Sequence, residues 1–399
     1  MGDPKERLVK TASDTELQRR WDLVRAMMRE RKLDYLVMQT SEEFLGGTIR
    51  WFSDWTARHQ FPMTVIFPVD EDMTVINCGV EPPNNQVFPP PWFARGIKNN
   101  WGDVYFPTMS YTSTYDAKLA AKAMKGRKNP TVAWVEPTFI PMTFADYLRA
   151  NMPGAGFVDA TEWVDEIRVP KSAEEIELIR GTAAIQDACV EHLTKAIKPG
   201  MHDYEVYAEA HCFMSKHGSS RGLVLINSGP LGTFVPFDAY HMQGRVIQEG
   251  DQVSLLNETN GPGGLYTELL RIFVVHAEPT QALKDAFAAA VEAQELVAKA
   301  MIPGAACKDL FQLFKDFIVS RGYAPPLRSF AHGQGYPLVE RPNLRPDETW
   351  SLKANMNIAV HPYAAKPGDV WSMCCDNFLV GDPNGAERLH KCPKQIFVV

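Results

Sequence analysis

An internal repeat constrains the fold of this chain more than any other feature of its sequence. The segment AIKPG at residues 196–200 recurs as AMIPG at residues 300–304, an offset of 104 residues. A long helical pattern precedes each copy, and a second helical pattern follows each copy and ends nineteen residues after the proline, at Gly218 and Gly322. Matching helices at a fixed offset indicate duplication of one α+β unit. Two such units related by a pseudo-twofold axis would share a central cleft.

The residues before the repeat predict a separate α/β domain. Apolar runs typical of buried strands alternate there with helical patterns, and the runs lie at 34–39, 62–67 and 131–136. The Pro-rich segment that ends near residue 107 is typical of an irregular loop. A capping-box motif, Ser172 to Glu175, opens a long helix just after VPK. Because 399 residues are many for one core, we place two domains at residues 1–167 and 168–399.

The composition excludes several classes of protein. A net charge of -7 supplies no basic surface for nucleic acid or anionic lipid. The seven cysteines contain no Cys-x-x-Cys pair, which argues against a disulfide framework and fits free thiols in a reducing cytoplasm. The polar N-terminus lacks the apolar region of a signal peptide, and no apolar run reaches the roughly eighteen residues of a membrane span. We therefore expect a cytoplasmic protein with neither a nucleic-acid nor a membrane partner.

A hairpin in the first half of the repeat carries polar residues in an apolar setting. The sequence SLLNETNGPGGLYTELLRIFVV at residues 254–275 predicts two strands around a Gly-rich turn. Asn257 and Glu268 lie eleven residues apart, one on each predicted strand. The repeat offset of 104 aligns Asn257 with His361 in the second half. We therefore expect these polar residues to meet in the central cleft.

Further polar residues fall on predicted strands of the second half, and their motifs resemble a known family. They are His332 in AHGQG, His361 in IAVHPYA, and Cys375 with Asp376 in SMCCDNFLV. Together with VPKSAEEIELIR, both PG turns, GDQVSLL, TELLR and GAERL, they resemble the creatinase/prolidase/methionine aminopeptidase family, which has the pita-bread fold. The resemblance covers most of the chain. It implies an α/β N-terminal domain, an α+β pita-bread C-terminal domain with a pseudo-twofold repeat, and a homodimer.

The resemblance also bears on metal binding. Metallopeptidases of that family hold two metal ions, and their five ligand positions here are Asn257, Glu268, His332, His361 and Cys375. Two ions need several carboxylates to offset their charge and to bridge them, and this set lacks those carboxylates. We therefore expect no cofactor, as in the metal-free creatinase branch, and a structural role for Asp376. A single zinc or iron ion remains as an alternative, with the ligands Glu268, His332, His361 and Cys375.

The resemblance to creatinase implies a histidine acid/base just before the Gly-Asp turn. The matching residue is His241 in FDAYHMQGRVIQEGD, and imidazole exchanges protons near neutral pH. We expect four catalytic residues: His241, His332, His361 and Glu268. Creatine itself is not the expected substrate, because Leu270 and His361 occupy the positions of the two glutamates that hold its cation. Ectoine is not expected either, because the acidic nucleophile of ectoine hydrolase falls at Asn257, and an amide cannot play that role.

The remaining groups favour a neutral or anionic, aromatic small-molecule substrate. The expected contacts are Asn257, Tyr266, Arg58, Trp55 and Phe61. The last three belong to WFSDWTARHQF at residues 51–61, in a region that the family uses to complete the pocket of the partner subunit. Aromatic rings beside Arg58 suit a flat substrate with a carboxylate or a phenolate.

Several functions agree with these residues. The one we expect is a metal-independent lyase that cleaves a C–C or C–heteroatom bond by histidine acid/base chemistry, for example with release of formaldehyde. The family includes a lyase that cleaves dimethylsulfoniopropionate, although that relative keeps its metal ligands. One alternative is a creatinase-like hydrolase of a C–N bond. Another is an Xaa-Pro-type peptidase or a catalytically inactive binding protein.

Overall fold

The computed structural model describes residues 9–42, 44–57, 61–79, 93–237 and 244–399. It contains two compact units, one formed by Thr11–Arg168 and the other by Val169–Val399 with Val9 and Lys10. The domain limits 1–167 and 168–399 stay a prediction, since compact packing does not show that either part folds alone. None of the helices in the described part of the chain has the length and apolarity needed to cross a membrane.

The N-terminal unit contains one mixed sheet with helices packed on it. Its strands are β1 (Tyr35–Thr40), β2 (Met63–Pro68), β3 (Met73–Cys78), β4 (Ile97–Asp103), β5 (Thr131–Trp134) and β6 (Gly156–Asp159). Its helices are α1 (Asp14–Glu30), α2 (Gly47–Ser53), α3 (Tyr115–Ala123), α4 (Met142–Asn151) and α5 (Thr161–Arg168). The strand order is β4-β3-β2-β1-β5-β6, with β1, β5 and β6 parallel to one another.

The strand predictions for this unit are mostly confirmed. The three apolar runs form β1, β2 and β5, and their buried side chains face the core. The predicted loop up to residue 107 is wrong in part, because it contains β4, which pairs in parallel with β3. The sequence of β4, IKNNWGD, is mostly polar, so hydrophobic patterning does not reveal it. It is a strand because it forms backbone hydrogen bonds with β3 at the edge of the sheet.

The second unit contains the duplicated α+β architecture. Its helices are α6 (Ala173–Ala196), α7 (Asp203–Lys216), α8 (Gln281–Ala300) and α9 (Cys307–Ser320). Its strands are β7 (Gly222–Pro230), β8 (Asp251–Asn260), β9 (Tyr266–Val274), β10 (Ala331–Gly333), β11 (Glu340–Asn343), β12 (Asn357–Val360), β13 (Tyr363–Lys366), β14 (Val370–Met373), β15 (Asp376–Asp382), β16 (Gly385–Arg388) and β17 (Phe397–Val398). They form sheets in the orders β17-β9-β8-β7 and β11-β10-β12-β15-β16, and β13 pairs with β14.

The predicted repeat is confirmed by the helix bounds. The last residues of α6 and α8 are 104 positions apart, which is the repeat offset. Helices α7 and α9 have 14 residues each, and both their first and their last residues are separated by the same offset. Gly200 and Gly304 follow the first helix of each half at φ angles of +90° and +92°, a left-handed conformation that glycine adopts without a steric penalty. The capping box at Ser172 is also formed, because its hydroxyl accepts from the Glu175 amide. The fold class expected from the sequence is correct.

Strands β8 and β9 separate two hydrophobic layers. Even-numbered residues such as Leu256 and Leu270 pack in a core that includes α8 and α9. Odd-numbered residues such as Leu255 and Leu269 pack in a core with α6 and α7. Both strands are buried over their whole length. Because side chains alternate between the faces of a strand, the parity of a residue number decides which layer its side chain enters.

Candidate metal centre

Three side chains of the second unit converge in a buried group. They are Glu268 on β9, His332 on β10 and His361 just after β12, and one ligand atom of each lies within 4.8 Å of the other two. The Glu268 Oε2 and His332 Nε2 atoms are 3.5 Å apart. The two imidazole rings are 5.2 Å apart between centroids. The structure therefore brings together three of the residues predicted for the site.

Strand pairing places these residues on a shared framework. His332 pairs with Ala359 on β12, so β10 and β12 hold the two histidine segments side by side. The His361 amide donates to the Phe330 carbonyl at 2.7 Å, which fixes the residue that follows β12. The Leu270 amide on β9 donates to the Cys375 carbonyl, which joins the first sheet to the second near Glu268.

Two glycines explain the AHGQG motif around His332. A Cβ atom on Gly333 would lie 2.4 Å from the Arg341 carbonyl oxygen of the neighbouring strand. A Cβ atom on Gly335 would lie 2.6 Å from a Glu340 carboxylate oxygen, which is ion-paired with Lys171. At either distance a side chain would fit only if the neighbouring group moved. The glycines therefore allow the β10 strand and the following turn to pack closely behind the histidine.

The buried polar atoms of the group fit a metal ion. Both ring nitrogens of His361 and the Oε2 atom of Glu268 lack a hydrogen-bond partner among the described residues, although they are buried. Buried polar atoms without partners are costly, and here three such atoms lie together and have lone pairs that can bind a metal ion. The 3.5 Å separation of Glu268 and His332 is long for a hydrogen bond. It is close to the roughly 3.4 Å expected between two ligands of a tetrahedral zinc ion.

The protonation of the group also suits a metal ion. The Nδ1–H group of His332 donates to the Gly333 carbonyl at 3.1 Å, which leaves the Nε2 lone pair directed at the group. Burial lowers the pKa of His361 to about 3, so its ring is neutral at pH 7, as in metal-bound histidine. Burial alone would raise the pKa of Glu268, but the nearby groups His361, His332 and Arg328 lower it to about 2, a pH at which the His361 ring is protonated. Two imidazoles and one carboxylate form a common donor set for catalytic zinc or ferrous iron.

The register of the hairpin places Glu258, and not Asn257, beside Glu268. Glu258 lies directly opposite Glu268 in the antiparallel pair, whereas Asn257 lies opposite Leu269. Asn257 therefore faces the layer of α6 and α7, where its Oδ1 atom accepts from the Thr259 hydroxyl at 2.9 Å. The expected meeting of Asn257 with His361 does not occur. The sequence interpretation missed Glu258, although the match at Asn257 required one extra residue after GDQVSLL, which was a signal of a shifted register.

A chain of hydrogen bonds orients Glu258. The Glu268 amide donates to Asn377 Oδ1 at 2.6 Å, which directs the Asn377 Nδ2 group at Gln334 Oε1, 2.8 Å away. The Gln334 Nε2 group then donates to Glu258 Oε1 at 2.7 Å. Burial and the negative charge of Glu268 raise the pKa of Glu258 well above its usual range. These two amide side chains and the Glu268 backbone amide hold a carboxyl group on the same face as the converging residues.

The other predicted residues of this unit have different surroundings. The Cys375 thiol donates to the Glu268 carbonyl at 3.4 Å, and its sulfur is outside the converging group. Burial raises the pKa of this thiol well above its usual range. Asp376 accepts from Arg271 and Arg388, each at 2.8 Å, as expected for a structural acceptor. Tyr266 is buried on β9 on the same face as Glu268.

The predicted contacts of the N-terminal unit stay predictions. The Trp55 indole N–H donates to the Phe93 carbonyl at 2.6 Å, and the two rings stack with centroids 4.7 Å apart. Phe61 is exposed and makes an edge contact with Phe106 at 5.9 Å. Arg58 in this unit and His241 in the second unit lie outside the described residues.

Comparisons with known proteins identify a family. Residues 177–382 match the model for metallopeptidase family M24. Over 261 residues the chain is 27% identical to an uncharacterized peptidase, YqhT, of Bacillus subtilis, with 64% of this chain and 72% of that protein covered. Over 242 residues it is 27% identical to the Xaa-Pro dipeptidase of Pyrococcus furiosus, with coverage of 58% and 66%. The dipeptidase PepE structure from Mycobacterium ulcerans has the same fold, with a TM-score of 0.75, 20% identity, and coverage of 98% of this chain and 100% of that chain.

These findings correct two expectations from the sequence. The relatives carry peptidase names, so the metal-independent lyase of an aromatic compound is wrong, and the Xaa-Pro-type peptidase fits better. The expected absence of a cofactor is also wrong. The family is one of metallopeptidases, and Glu268, His332 and His361 form a group that suits a metal ion. The resemblance led to the wrong conclusion because changed ligand types were taken as loss of metal binding.

Proposed function

The chain belongs to metallopeptidase family M24 and is an enzyme of that family, and we propose that it hydrolyses an amide bond in a small peptide with one bound metal ion. The observation that carries this proposal is the convergence of Glu268, His332 and His361 within 4.8 Å, with buried lone pairs that lack partners. The names of the relatives, Xaa-Pro dipeptidase and dipeptidase, support a peptide bond as the bond that is cleaved.

The donor set supports one ion instead of two. The converging group contains a single carboxylate, Glu268, and its two other members are imidazoles, which cannot bridge two ions. Asn257 faces the opposite layer, and the Cys375 thiol is directed at a backbone carbonyl. Glu258 is already held by Gln334. In this proposal His332 and His361 act as ligands instead of acid/base groups.

In this proposal the residues of the site have separate roles in hydrolysis. A divalent ion held by His332, His361 and Glu268 would lower the pKa of a water molecule and would polarise a carbonyl oxygen. Glu258 is the carboxyl group on the same face that is not a ligand, so we assign it the proton transfer. It takes a proton from the attacking water and returns it to the amine nitrogen when the C–N bond breaks. Gln334 and Asn377 keep its carboxyl group in place during this exchange.

Metal analysis and oxygen labelling test the proposal together. We expect about one zinc or iron ion per chain after purification without added metal. In water enriched in oxygen-18, hydrolysis of alanylproline places one solvent oxygen in the released alanine carboxylate. The Glu268→Gln protein serves as the control, because it keeps the size of the side chain but removes the only carboxylate of the group. Absence of metal, or absence of solvent oxygen in every product, would contradict the proposal.

The proposal includes the homodimer expected from the family resemblance. Sedimentation velocity of the metal-loaded protein measures its mass. If the Trp55, Arg58 and Phe61 region contacts the site of the partner subunit, mixing an Arg58→Ala chain with a Glu268→Gln chain restores at most a quarter to a half of wild-type activity, through the dimers that keep one intact site. A fully active Arg58→Ala protein would remove that region from the site.

A further inference from the structure

A cavity lies at one edge of the sheet in the N-terminal unit, and its volume is about 350 Å³. The carboxyl ends of β1, β4 and β5 meet at this edge, because these three strands run in the same direction. Ser41 follows β1, Tyr105 follows β4 and Phe139 follows β5, and all three residues line the cavity. Small molecules bind at the carboxyl ends of the strands in open α/β sheets.

The connectivity of the sheet makes this edge a topological switch point. From β1 the chain continues through β2, β3 and β4 on one side of the sheet, and from β5 it continues to β6 on the other side. Connections that leave two adjacent strands in opposite directions open a crevice between them. The strands here are β1 and β5. The volume of the cavity also lies within the range of roughly 300–1,000 Å³ that small-molecule pockets have.

One wall of the cavity is formed in advance by contacts within the protein. The Thr112 hydroxyl accepts from the Phe106 amide at 3.2 Å and donates to the Met109 carbonyl at 2.7 Å. The Ser113 amide donates to the Ser110 carbonyl at 3.2 Å, which closes a turn in the same segment. A ligand would therefore not have to order this wall when it binds, and a pre-formed wall is typical of small-molecule sites.

Gln39 supplies a buried hydrogen-bond acceptor that the protein does not use. Its Nε2 group donates to the Thr64 hydroxyl at 2.7 Å and to the Asp116 carboxyl group, so both amide hydrogens are engaged. Burial raises the pKa of Asp116 to about 6, so at pH 7 the Asp116 carboxylate accepts from Gln39 and does not donate to it. The Gln39 Oε1 atom is buried and has no partner among the described residues. Because an unpaired buried acceptor is costly, a ligand that donates to Oε1 would be stabilised.

The residues around the cavity favour a neutral ligand with several hydroxyl groups. None of the described residues that line it is charged, and its polar lining residues are Gln39, Ser41, Tyr105, Ser110, Ser113 and Thr143. Hydroxyl groups both donate and accept, so they match the hydroxyl groups of a ligand. The other lining residues are three prolines and Phe139, whose apolar surfaces suit the C–H groups of a sugar ring. An anion would meet no lysine or arginine among these residues.

We propose that this cavity binds a neutral, polyhydroxylated molecule of monosaccharide size, with one ligand hydroxyl group donating to Gln39 Oε1. The lining residues all belong to the N-terminal unit, whereas Glu268, His332 and His361 belong to the second unit. The inference therefore does not depend on the proposed hydrolysis or on a bound metal ion. It assigns to the N-terminal unit a binding function of its own.

Ligand-observed NMR with the full-length, zinc-loaded protein tests the inference. The probes are D-glucose and D-galactose, and each is compared with its uronate, which replaces the C6 hydroxymethyl group by a carboxylate. We expect at least one neutral sugar to bind with millimolar or tighter affinity. Its uronate should bind at least about 10-fold more weakly, because a carboxylate would lose water without gaining a cationic partner. Removal of zinc with a chelator should leave the affinity for the sugar unchanged.

Matched variants locate the binding site. Ser113→Leu and Ser41→Leu each remove a lining hydroxyl group and fill part of the cavity from a different wall, so each should weaken sugar binding at least about 10-fold. Thr108→Leu is the control, since Thr108 is exposed in the same segment as Ser113 and does not line the cavity. It should bind as the wild type does. Circular dichroism and zinc content of the variants show whether each one is folded.

Three results would each overturn the inference. The first is that neither neutral sugar binds to the wild-type protein. The second is that the uronates bind as tightly as the neutral sugars. The third is that a folded Ser113→Leu or Ser41→Leu protein binds sugar with wild-type affinity, since sugar bound elsewhere on the protein would not respond to these changes.

Discussion

Glu258 lies directly opposite Glu268 across the antiparallel strands β8 and β9, and both side chains are on the face that carries the candidate metal centre. The two buried carboxyl groups have different surroundings. Glu268 faces two imidazoles, and Glu258 accepts a hydrogen bond from Gln334. Their environments move the two pKa values in opposite directions. Pairs of titratable groups with separated pKa values are typical of acid/base sites.

The first prediction concerns Glu258. Glu258→Gln keeps the shape of the side chain and the acceptor for Gln334, but it cannot take up a proton. We expect kcat to fall by a factor of about 10² to 10⁴, as for loss of a general acid/base. Metal content, measured by elemental mass spectrometry, should stay at the wild-type value. The exposed Glu387→Gln change is a matched control with normal activity. A Glu258→Gln protein of normal rate would remove Glu258 from the mechanism.

The second prediction uses the register of the hairpin. Glu268→Gln and His361→Ala should each lower the zinc affinity by at least about 10-fold, because each removes one of three proposed ligands. Asn257→Ala should leave zinc affinity unchanged within about 2-fold, because Asn257 faces the opposite layer. Titration with a chromophoric zinc chelator measures all three proteins without any activity assay. Loss of zinc in Asn257→Ala would mean that the residue contacts the ion.

The third prediction concerns the buried ion pair between Arg271 and Asp376. Arg271 and Asp376 are both fully buried and pair at 2.8 Å, and Arg271 also donates to the Cys375 carbonyl at 2.9 Å. Arg271→Met leaves a buried carboxylate with only Arg388 as a charged partner, so we expect a loss of about 3–5 kcal/mol in the free energy of unfolding. Arg180→Met breaks the exposed pair with Glu387 and should cost at most about 1 kcal/mol. Urea denaturation of the two variants provides the comparison, and equal losses would contradict it.

The fourth prediction concerns pH and the N-terminal unit. Burial raises the pKa of Asp116 from 3.8 to about 6, and Gln39 donates a hydrogen bond to its carboxyl group. A raised pKa in the folded state means that the protonated form is favoured by folding. The contribution of protonated Asp116 to the free energy of unfolding is fully present below pH 3.8 and is lost as the pH rises through about 6. The difference of about two pKa units corresponds to a loss of about 3 kcal/mol in the free energy of unfolding at pH 7.

The variant Asp116→Asn measures this effect. A neutral amide has no charge to bury, so the variant should gain stability relative to the wild type as the pH rises from 4 to 7. Chemical denaturation at several pH values gives the difference in the free energy of unfolding. Asp72→Asn, at an exposed position of the same unit, controls for the change in net charge. A difference between wild type and Asp116→Asn that does not depend on pH would contradict the raised pKa.

The sequence alone was sufficient for the fold and for most of the converging residues. The repeat offset, the Gly200 and Gly304 turns and the capping box at Ser172 are local signals, and each depends on backbone rules that hold in any context. Glu268, His332 and His361 were identified because they are polar residues on predicted strands. Polar residues within an apolar strand pattern can be recognised from the sequence without knowledge of the residues that they contact.

Only the tertiary structure decided which side chains meet. Side chains alternate with a period of two, so a shift of one residue in the β8–β9 register exchanges Asn257 for Glu258 in the site. Such a shift changes nothing in the composition or periodicity of either strand. The backbone contact between Phe330 and His361 likewise joins two segments that are distant in sequence. Patterning reports which residues are buried, whereas the chemistry of the site depends on non-local pairing that patterning does not contain.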